Sequence, residues 1–211
     1  MIYFIKTPNW LKWLYKSCFW EIKTDEKKIF LSFDDGPHPH ITPFVLEELR
    51  KYNAKATFFC IGDNVSKYPD VYKKIIDEGH MVGNHTQNHL NGWKTEDKLY
   101  LDNIAMAQKH IDSDLFRPPY GRITRFQLSQ LTLLRFNLKT IMWTVLSGDF
   151  DKSISKEDCR DNVILNAKEG SIVVFHDSEK ARERMTFALP EVLNYFASKG
   201  YVFEKITTNI L

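Results

Sequence analysis

Cysteine is scarce in this 211-residue chain: Cys18, Cys60 and Cys159 are odd in number and lack paired spacing. That excludes a disulfide framework and a zinc–thiolate cluster, and it permits a reducing compartment without requiring one. An excess of one charge is lacking too, since 29 Lys and Arg stand against 27 Asp and Glu, a formal balance of +2. With no basic stripe interleaved with aromatics, nucleic acid is not an expected partner. Long apolar runs are also absent. The longest near the start is Ile2-Tyr3-Phe4-Ile5, and Lys6, Lys12 and Lys16 break up the apolar residues after it. A secretory signal needs about 7–15 unbroken apolar residues and a spanning helix about 20. Neither is expected, and the chain is expected in the cytoplasm or at the periphery of a membrane. Trp10, Trp13, Phe19 and Trp20 beside those lysines can touch a membrane surface. Packing over one end of the domain is the expected role.

What is present is an ordinary globular composition, 43% hydrophobic and 27% charged, on a chain long enough for one substantial core. No repeat, low-complexity tract or Gly/Ser linker divides it. The expected organisation is one domain, 28–211, preceded by an extension, 1–27, packed on it, and the chain is expected to be a monomer. Short β-branched runs at 29–33, 56–60, 80–83, 115–116, 140–143, 172–175 and 201–203 predict strands. Between them lie helix signals. Thr42 precedes Pro43, Pro69 opens a segment that stops at Gly79, and Thr95 stands before an apolar face at Tyr100, Ile104, Ala107 and Ile111. Leu128, Leu131 and Leu134 come after Thr124. Ser155 with Asp158 resembles a capping box opening a helix that ends at Gly170, and a last helix runs from Pro190 to Lys199. The charges at Lys180, Arg182 and Arg184 predict a solvated loop before it. This alternation predicts a largely parallel α/β sheet. Seven strands can close as a barrel or stay open as a doubly wound sheet, and the pattern does not choose.

Polar residues that look misplaced for a core all come just after predicted strands: Asp34 and Asp35, His85 and His89, Arg117, Asp149, and His176. In parallel α/β folds those strand ends share one face and build the active site. His85 and His89, four apart, are expected to project together from a helical turn. A carboxylate from another strand then completes a three-ligand site with open positions, the arrangement of catalytic zinc. Packing histidines and a capped Asp-Gly-Pro turn are the plainer alternatives. Two adjacent carboxylates at a buried strand end repel unless a cation is near, so one is expected to ligate while the other faces water. Arg117 is the candidate partner for the free carboxylate. Asp149 is the candidate partner of His176, raising its pKa and fixing its tautomer as a general acid requires.

These residues resemble the polysaccharide deacetylases with a NodB-homology domain, carbohydrate esterase family four, from about Lys28 to Tyr201. Ser32-Phe33-Asp34-Asp35-Gly36-Pro37 is similar to the family's Thr-Phe-Asp-Asp-Gly-Pro signature, and His85-Thr86-Gln87-Asn88-His89 to its His-Ser/Thr-x-x-His motif. Arg117-Pro118-Pro119-Tyr120 resembles Arg-x-Pro-Tyr. Leu146-Ser147-Gly148-Asp149-Phe150 is a degraded Asp-x-x-Asp-Trp, and Val174-Phe175-His176 stands where the family has Leu-x-His. The resemblance implies a distorted (β/α)7-type barrel and a hydrolase that removes N-acetyl groups from an amino-sugar glycan, peptidoglycan or chitin-like. It implies Asp35, His85 and His89 as ligands of a divalent metal, expected to be Zn2+ with Co2+, Ni2+ or Mn2+ as substitutes. Asp34 becomes the base and His176 the acid, with Arg117 steadying Asp34 and Asp149 steadying His176. The Tyr120 N–H helps hold the oxyanion, and Pro119, Phe150 and Val174 line the groove and acetyl pocket. Leu146, Phe150 and Val174 depart from the family pattern, which leaves the substrate open. A metal-dependent amidohydrolase of a small non-glycan amide and a catalytically silent carbohydrate-binding protein are the competing expectations.

Overall fold

The computed structural model describes residues 3–133 and 136–211; Ile2 of the opening run and Leu134 of the predicted leucine stripe lie outside the described residues. The central strand is β1 (Lys28–Asp34), whose residues from Ile29 onward are all buried. A strand covered on both faces must read as a continuous apolar run, and this one does until its polar end. Around it lie β2 (Thr57–Cys60), β3 (Met81–Asn84), β4 (Leu115–Phe116), β5 (Lys139–Thr140), β6 (Val145–Leu146) and β7 (Ile172–His176). Their order is β5-β4-β3-β2-β1-β7-β6, and every pairing along that path is parallel. β8 (Val202–Phe203) joins the start of β1. The result is the expected distorted α/β barrel, left open between β5 and β6.

Alternation along the strands separates two apolar layers. Ile29, Leu31, Phe33, Val173 and Phe175 point outward into the helical shell. Phe30, Phe59, Leu115, Ile141 and Ile172 fill the narrow interior. The interior face continues upward from Phe30 through Ser32 to Asp34, and from Ile172 through Val174 to His176, so polarity rises toward the C-terminal mouth.

The shell comprises α1 (Asn9–Leu14), α2 (Ile41–Lys51), α3 (Gly62–Lys67), α4 (Pro69–Asp77), α5 (Asp97–Gln108), α6 (Arg125–Leu131), α7 (Lys156–Ile164) and α8 (Arg182–Ser198). The capping boxes at Thr124 with Gln127 and at Ser155 with Asp158 form as their sequences imply. Other boundaries differ. Glu96, not Thr95, caps α5, accepting the N–H groups of Lys98 and Leu99. Helix α2 begins before Thr42, whose hydroxyl accepts the His38 N–H and bonds the Asp177 carboxylate. Helix α7 stops at Ile164 rather than Gly170, and Gly170 instead turns with φ of 74° to offer its carbonyl to the Ile22 N–H. Helix α8 starts at Arg182 and carries Pro190 inside it. The proline breaks one backbone bond, but the buried stripe of Met185, Leu189, Val192 and Phe196 holds the helix to the sheet.

The open seam is covered by the beginning of the chain. Lys6 bridges Val145 in antiparallel fashion, Phe19 bridges Ile141 and Glu21 bridges Ser171. Trp20 is buried and Phe19 is half-buried against the interior core, whereas Trp10 and Trp13 remain exposed on α1. Among the described residues, no helix is long and apolar enough to cross a membrane. Cys18, Cys60 and Cys159 are free and buried.

Candidate metal centre and acid–base pairs

Asp34 ends β1, and Asp35 takes a left-handed φ of 81°, so the two neighbouring carboxylates diverge. Asn64 Nδ2 donates to the Asp35 carbonyl at 2.7 Å and holds that turn. Gly36 comes next in close approach to Asp177, where a Cβ would collide with the carboxylate.

After β3 the chain does not enter a helix, contrary to the expectation for the histidine pair. Thr86 and His89 both have positive φ, and side chains hold the loop. Asn84 Oδ1 accepts the Thr86 N–H, Asn103 Oδ1 accepts those of Gln87 and Asn88, and Thr86 Oγ1 accepts that of Leu90. These polar side chains offer the backbone partners that compete with helical ones. The imidazoles still converge: Nε2 of His89 lies 3.1 Å and Nε2 of His85 3.8 Å from Asp35 Oδ1. One donor atom from each of the three residues lies within 4.8 Å of the others.

The donor set fits a divalent cation. Asp35 Oδ1 is buried without a hydrogen-bond partner, an arrangement that costs free energy unless a positive charge completes it. His85 Nδ1 meets the Arg117 carbonyl at 2.7 Å, and His89 Nδ1 meets Tyr120 Oη at 3.1 Å. Each bond orients its ring and leaves Nε2 for the cation. Burial lowers the His85 pKa to about 4, outweighing the nearby carboxylates, so the ring is neutral as a ligand must be. For Asp35 burial acts upward, but the facing His89 ring and the other nearby imidazoles, His176 and His85, hold the carboxyl below the usual range.

Asp34 is held elsewhere. Arg117, fully buried after β4, donates from Nη1 to Asp34 Oδ1 at 2.7 Å and to Ser32 Oγ at 2.8 Å. Its Nε reaches the Ile141 carbonyl, its Nη2 the Met142 carbonyl, and its guanidinium stacks 4.0 Å from the Phe59 ring centroid. Burial lowers the guanidinium pKa and Asp34 opposes that shift. The planar fork needs this array of fixed acceptors; lysine could not satisfy them. Ser32 is therefore part of the device that holds Asp34, a larger role than its conservative exchange for threonine implies.

On the other flank His176 ends β7 with Nδ1 2.7 Å from Asp149 Oδ1, while Asp149 Oδ2 accepts the His176 N–H at 2.6 Å. Burial would depress the imidazole, but the Asp149 charge and hydrogen bond, joined by Asp35 and Asp34, raise its pKa to about 10. Phe150 packs edgewise on the ring at 5.2 Å. Pro119 is buried in a tight turn with Tyr120, whose φ is 61° and whose side chain is exposed beside His89. Val174 is buried two residues below His176, level with Ser32 and Leu146.

Two supporting residues are not visible in the sequence pattern. Arg184, expected in a solvated loop, is buried on α8 and donates from Nε to the Asp149 carbonyl at 2.8 Å. Asp177 is buried beneath the Asp35-Gly36 turn, and desolvation raises its pKa to about 7 despite the Thr42 hydrogen bond. The only sequence signal for either is its proximity to His176.

The sequence pattern of the polysaccharide deacetylases matches residues 21–137. The chain is 36% identical over 194 residues to a peptidoglycan-N-acetylglucosamine deacetylase of Bacillus cereus, covering 89% of this chain and 90% of that one. It is 33% identical over 163 residues to a chitooligosaccharide deacetylase of Azorhizobium caulinodans, covering 74% and 76%. Other peptidoglycan deacetylases are longer, and the chain spans 66% of one and 38% of another. Among solved structures, a peptidoglycan N-acetylglucosamine deacetylase in complex with 4-naphthalen-1-yl-N-oxidanyl-benzamide superposes with a TM-score of 0.85 at 30% identity, covering 95% of each chain. The chain belongs to the polysaccharide deacetylase family.

Proposed function

We propose that this enzyme removes acetyl groups from the N-acetylglucosamine units of a glycan of the peptidoglycan or chitin-like kind. The observation that carries the reading is the division of labour between adjacent carboxylates. Asp35 turns an unpartnered oxygen toward His85 and His89, while Asp34 is gripped by Arg117. A binding protein has no use for a buried arginine that grips one acid beside an imidazole kept protonated.

Asp35, His85 and His89 would hold the metal, with Zn2+ favoured by the two-imidazole, one-carboxylate donor set. When bound, such an ion supplies Lewis acidity that makes water nucleophilic near neutral pH and polarises the acetamide carbonyl. Asp34 accepts the proton of the attacking water, and Arg117 keeps it aimed. The Tyr120 backbone N–H supports the oxygen on which negative charge develops. His176, held protonated by Asp149, gives its proton to the departing sugar nitrogen, so acetate and a free amine leave. Pro119, Phe150 and Val174 bound the groove and the acetyl pocket. The exposed Trp10 and Trp13 beside Lys6 and Lys16 support a peripheral contact of α1 with a membrane surface, and the chain acts as a monomer.

Acetate release from N-acetylglucosamine oligomers, with and without chelator, tests the reading. Asp34→Asn should keep the metal and lose about 10²-fold or more in kcat. Full activity in that variant would discard the assignment.

A further inference from the structure

Tyr3 lies before the stretch matched by the family pattern, yet the fold carries it to the mouth of the barrel. Its segment is laid along the edge of β6: the Leu146 N–H donates to the Ile5 carbonyl at 2.8 Å, Lys6 bridges Val145, and the Thr7 N–H donates to the Thr144 carbonyl at 2.9 Å. At the end of that strap the Tyr3 ring packs edgewise on Phe150, 5.1 Å between centroids at 61°. Its hydroxyl donates to Asp151 Oδ2 at 2.8 Å. Phe150 in turn packs edgewise on His176 at 5.2 Å, and the Lys180 ammonium lies 5.4 Å from its centroid.

Position 150 is where this chain has phenylalanine and its motif's pattern has tryptophan. A single phenyl ring half-buried at a groove edge keeps freedom about two torsions, and it covers less surface than an indole. Tyr3 supplies both what the ring lacks in area and what it lacks in constraint. We propose that Tyr3 is a positioning residue of the active site: it fixes Phe150 against His176, and the Tyr3–Phe150 pair forms the groove wall that an indole would otherwise provide. The assignment rests on the deacetylase reading, with His176 as the acid.

The test uses the full chain loaded with zinc, a tetramer of N-acetylglucosamine as substrate, and separate kcat and KM for Tyr3→Ala, Tyr3→Phe and the double variant Tyr3→Ala with Phe150→Trp. Tyr3→Ala should lower kcat/KM about 3- to 10-fold, the kinetic equivalent of one aromatic pair. Tyr3→Phe, which keeps the ring and drops the Asp151 bond, should retain most of the activity. The double variant should recover most of the loss, which a mere anchor of the chain terminus would not do. Wild-type kinetics in Tyr3→Ala would overturn the proposal, and so would a loss that Tyr3→Phe shares in full. Should Tyr3→Ala fail to fold, Tyr3→Leu takes its place with the same expected loss and the same overturning result, because the proposal requires the aromatic ring and not the hydroxyl. Asp34→Asn runs beside them. If it and the wild type release acetate equally, or neither does, the deacetylase reading falls and this one with it. If only Asp34→Asn is inactive and Tyr3→Ala is normal, the Tyr3 assignment alone fails.

Discussion

His85 and His176 stand on the same rim, one just past a buried strand and the other at the end of one, and burial pushes both imidazoles toward the neutral form. They end far apart, His85 lowered to about 4 and His176 raised to about 10. The difference lies in what each Nδ1 meets. His85 faces a backbone carbonyl, a neutral acceptor that orients the ring and leaves burial in control. His176 faces the Asp149 carboxylate, whose charge outweighs burial. One residue type is thus held neutral on one side of the barrel and protonated on the other, and the partner of its Nδ1 makes the choice.

The largest effect should come from removing the neutral side. A His85→Ala, His89→Ala double variant leaves Asp35 alone, and calorimetric titration with zinc should show no tight binding, with acetate release at background. Tight stoichiometric binding in that variant would break the comparison, because His85 would then have no ligand role to be neutral for. Next comes the residue linking the flanks. Arg117 orients His85 through its carbonyl and Asp34 through its guanidinium. Arg117→Met should leave Asp34 buried without its counter-charge, at a cost of about 3–5 kcal/mol in urea unfolding. A loss under about 1 kcal/mol would mean that water reaches Asp34 and the buried-pair account is wrong.

Asp149→Asn acts on the other side with a defined sign. Without the carboxylate, burial is opposed only by the charges of Asp35 and Asp34, and the His176 pKa falls below about 10 toward its ordinary value. A general acid works while protonated, so the descending limb of kcat/KM against pH should move to lower pH by about two units or more. Loss should reach about 10²-fold at pH 8 and be much smaller at pH 6. An unmoved limb would assign the basic-side decline to another group.

The ionisable groups at the mouth were legible because charge at the end of an apolar strand is conspicuous: Asp34, Arg117 and His176 each interrupt a run that would otherwise be core. What supports them was not. Thr42 and Asp177 meet across 135 positions, and Arg184 reaches the Asp149 carbonyl across 35, separations at which no local pattern can signal contact. Local rules also mislead where polar side chains take over backbone bonds. The spacing of His85 and His89 fits a helical turn, but Asn84 and Asn103 capture the N–H groups that a helix would have used. Proline at position 190 suggests a helix start, yet the apolar stripe on both sides of it outweighs the one backbone bond it removes. The two-residue strand at Val145–Leu146 and the strap that covers its edge have no periodicity to read.

The smallest effect concerns a third histidine, which isolates burial from catalysis. His80 precedes β3 at the opposite end from the mouth, its Nδ1 accepting the Ala56 N–H at 3.2 Å and its ring packing edgewise on Phe58 at 5.4 Å. Burial, helped by Lys55, lowers its pKa to about 4. The unfolded chain, titrating near 6.5, binds the proton more readily than the fold does. Stability from this group is therefore complete above about pH 6.5 and is lost as pH falls toward 4. At pH 5 the deficit should be about 1–2 kcal/mol relative to pH 7, allowing for the part of the ring that water reaches. His80→Gln, whose Oε1 can accept the same N–H, should remove that part of the acid sensitivity in urea unfolding while leaving acetate release unchanged. If the variant loses stability between pH 7 and pH 5 as steeply as the wild type, burial at His80 is not what sets its protonation. The contrast between His85 and His176 would then have to rest on their Nδ1 partners alone.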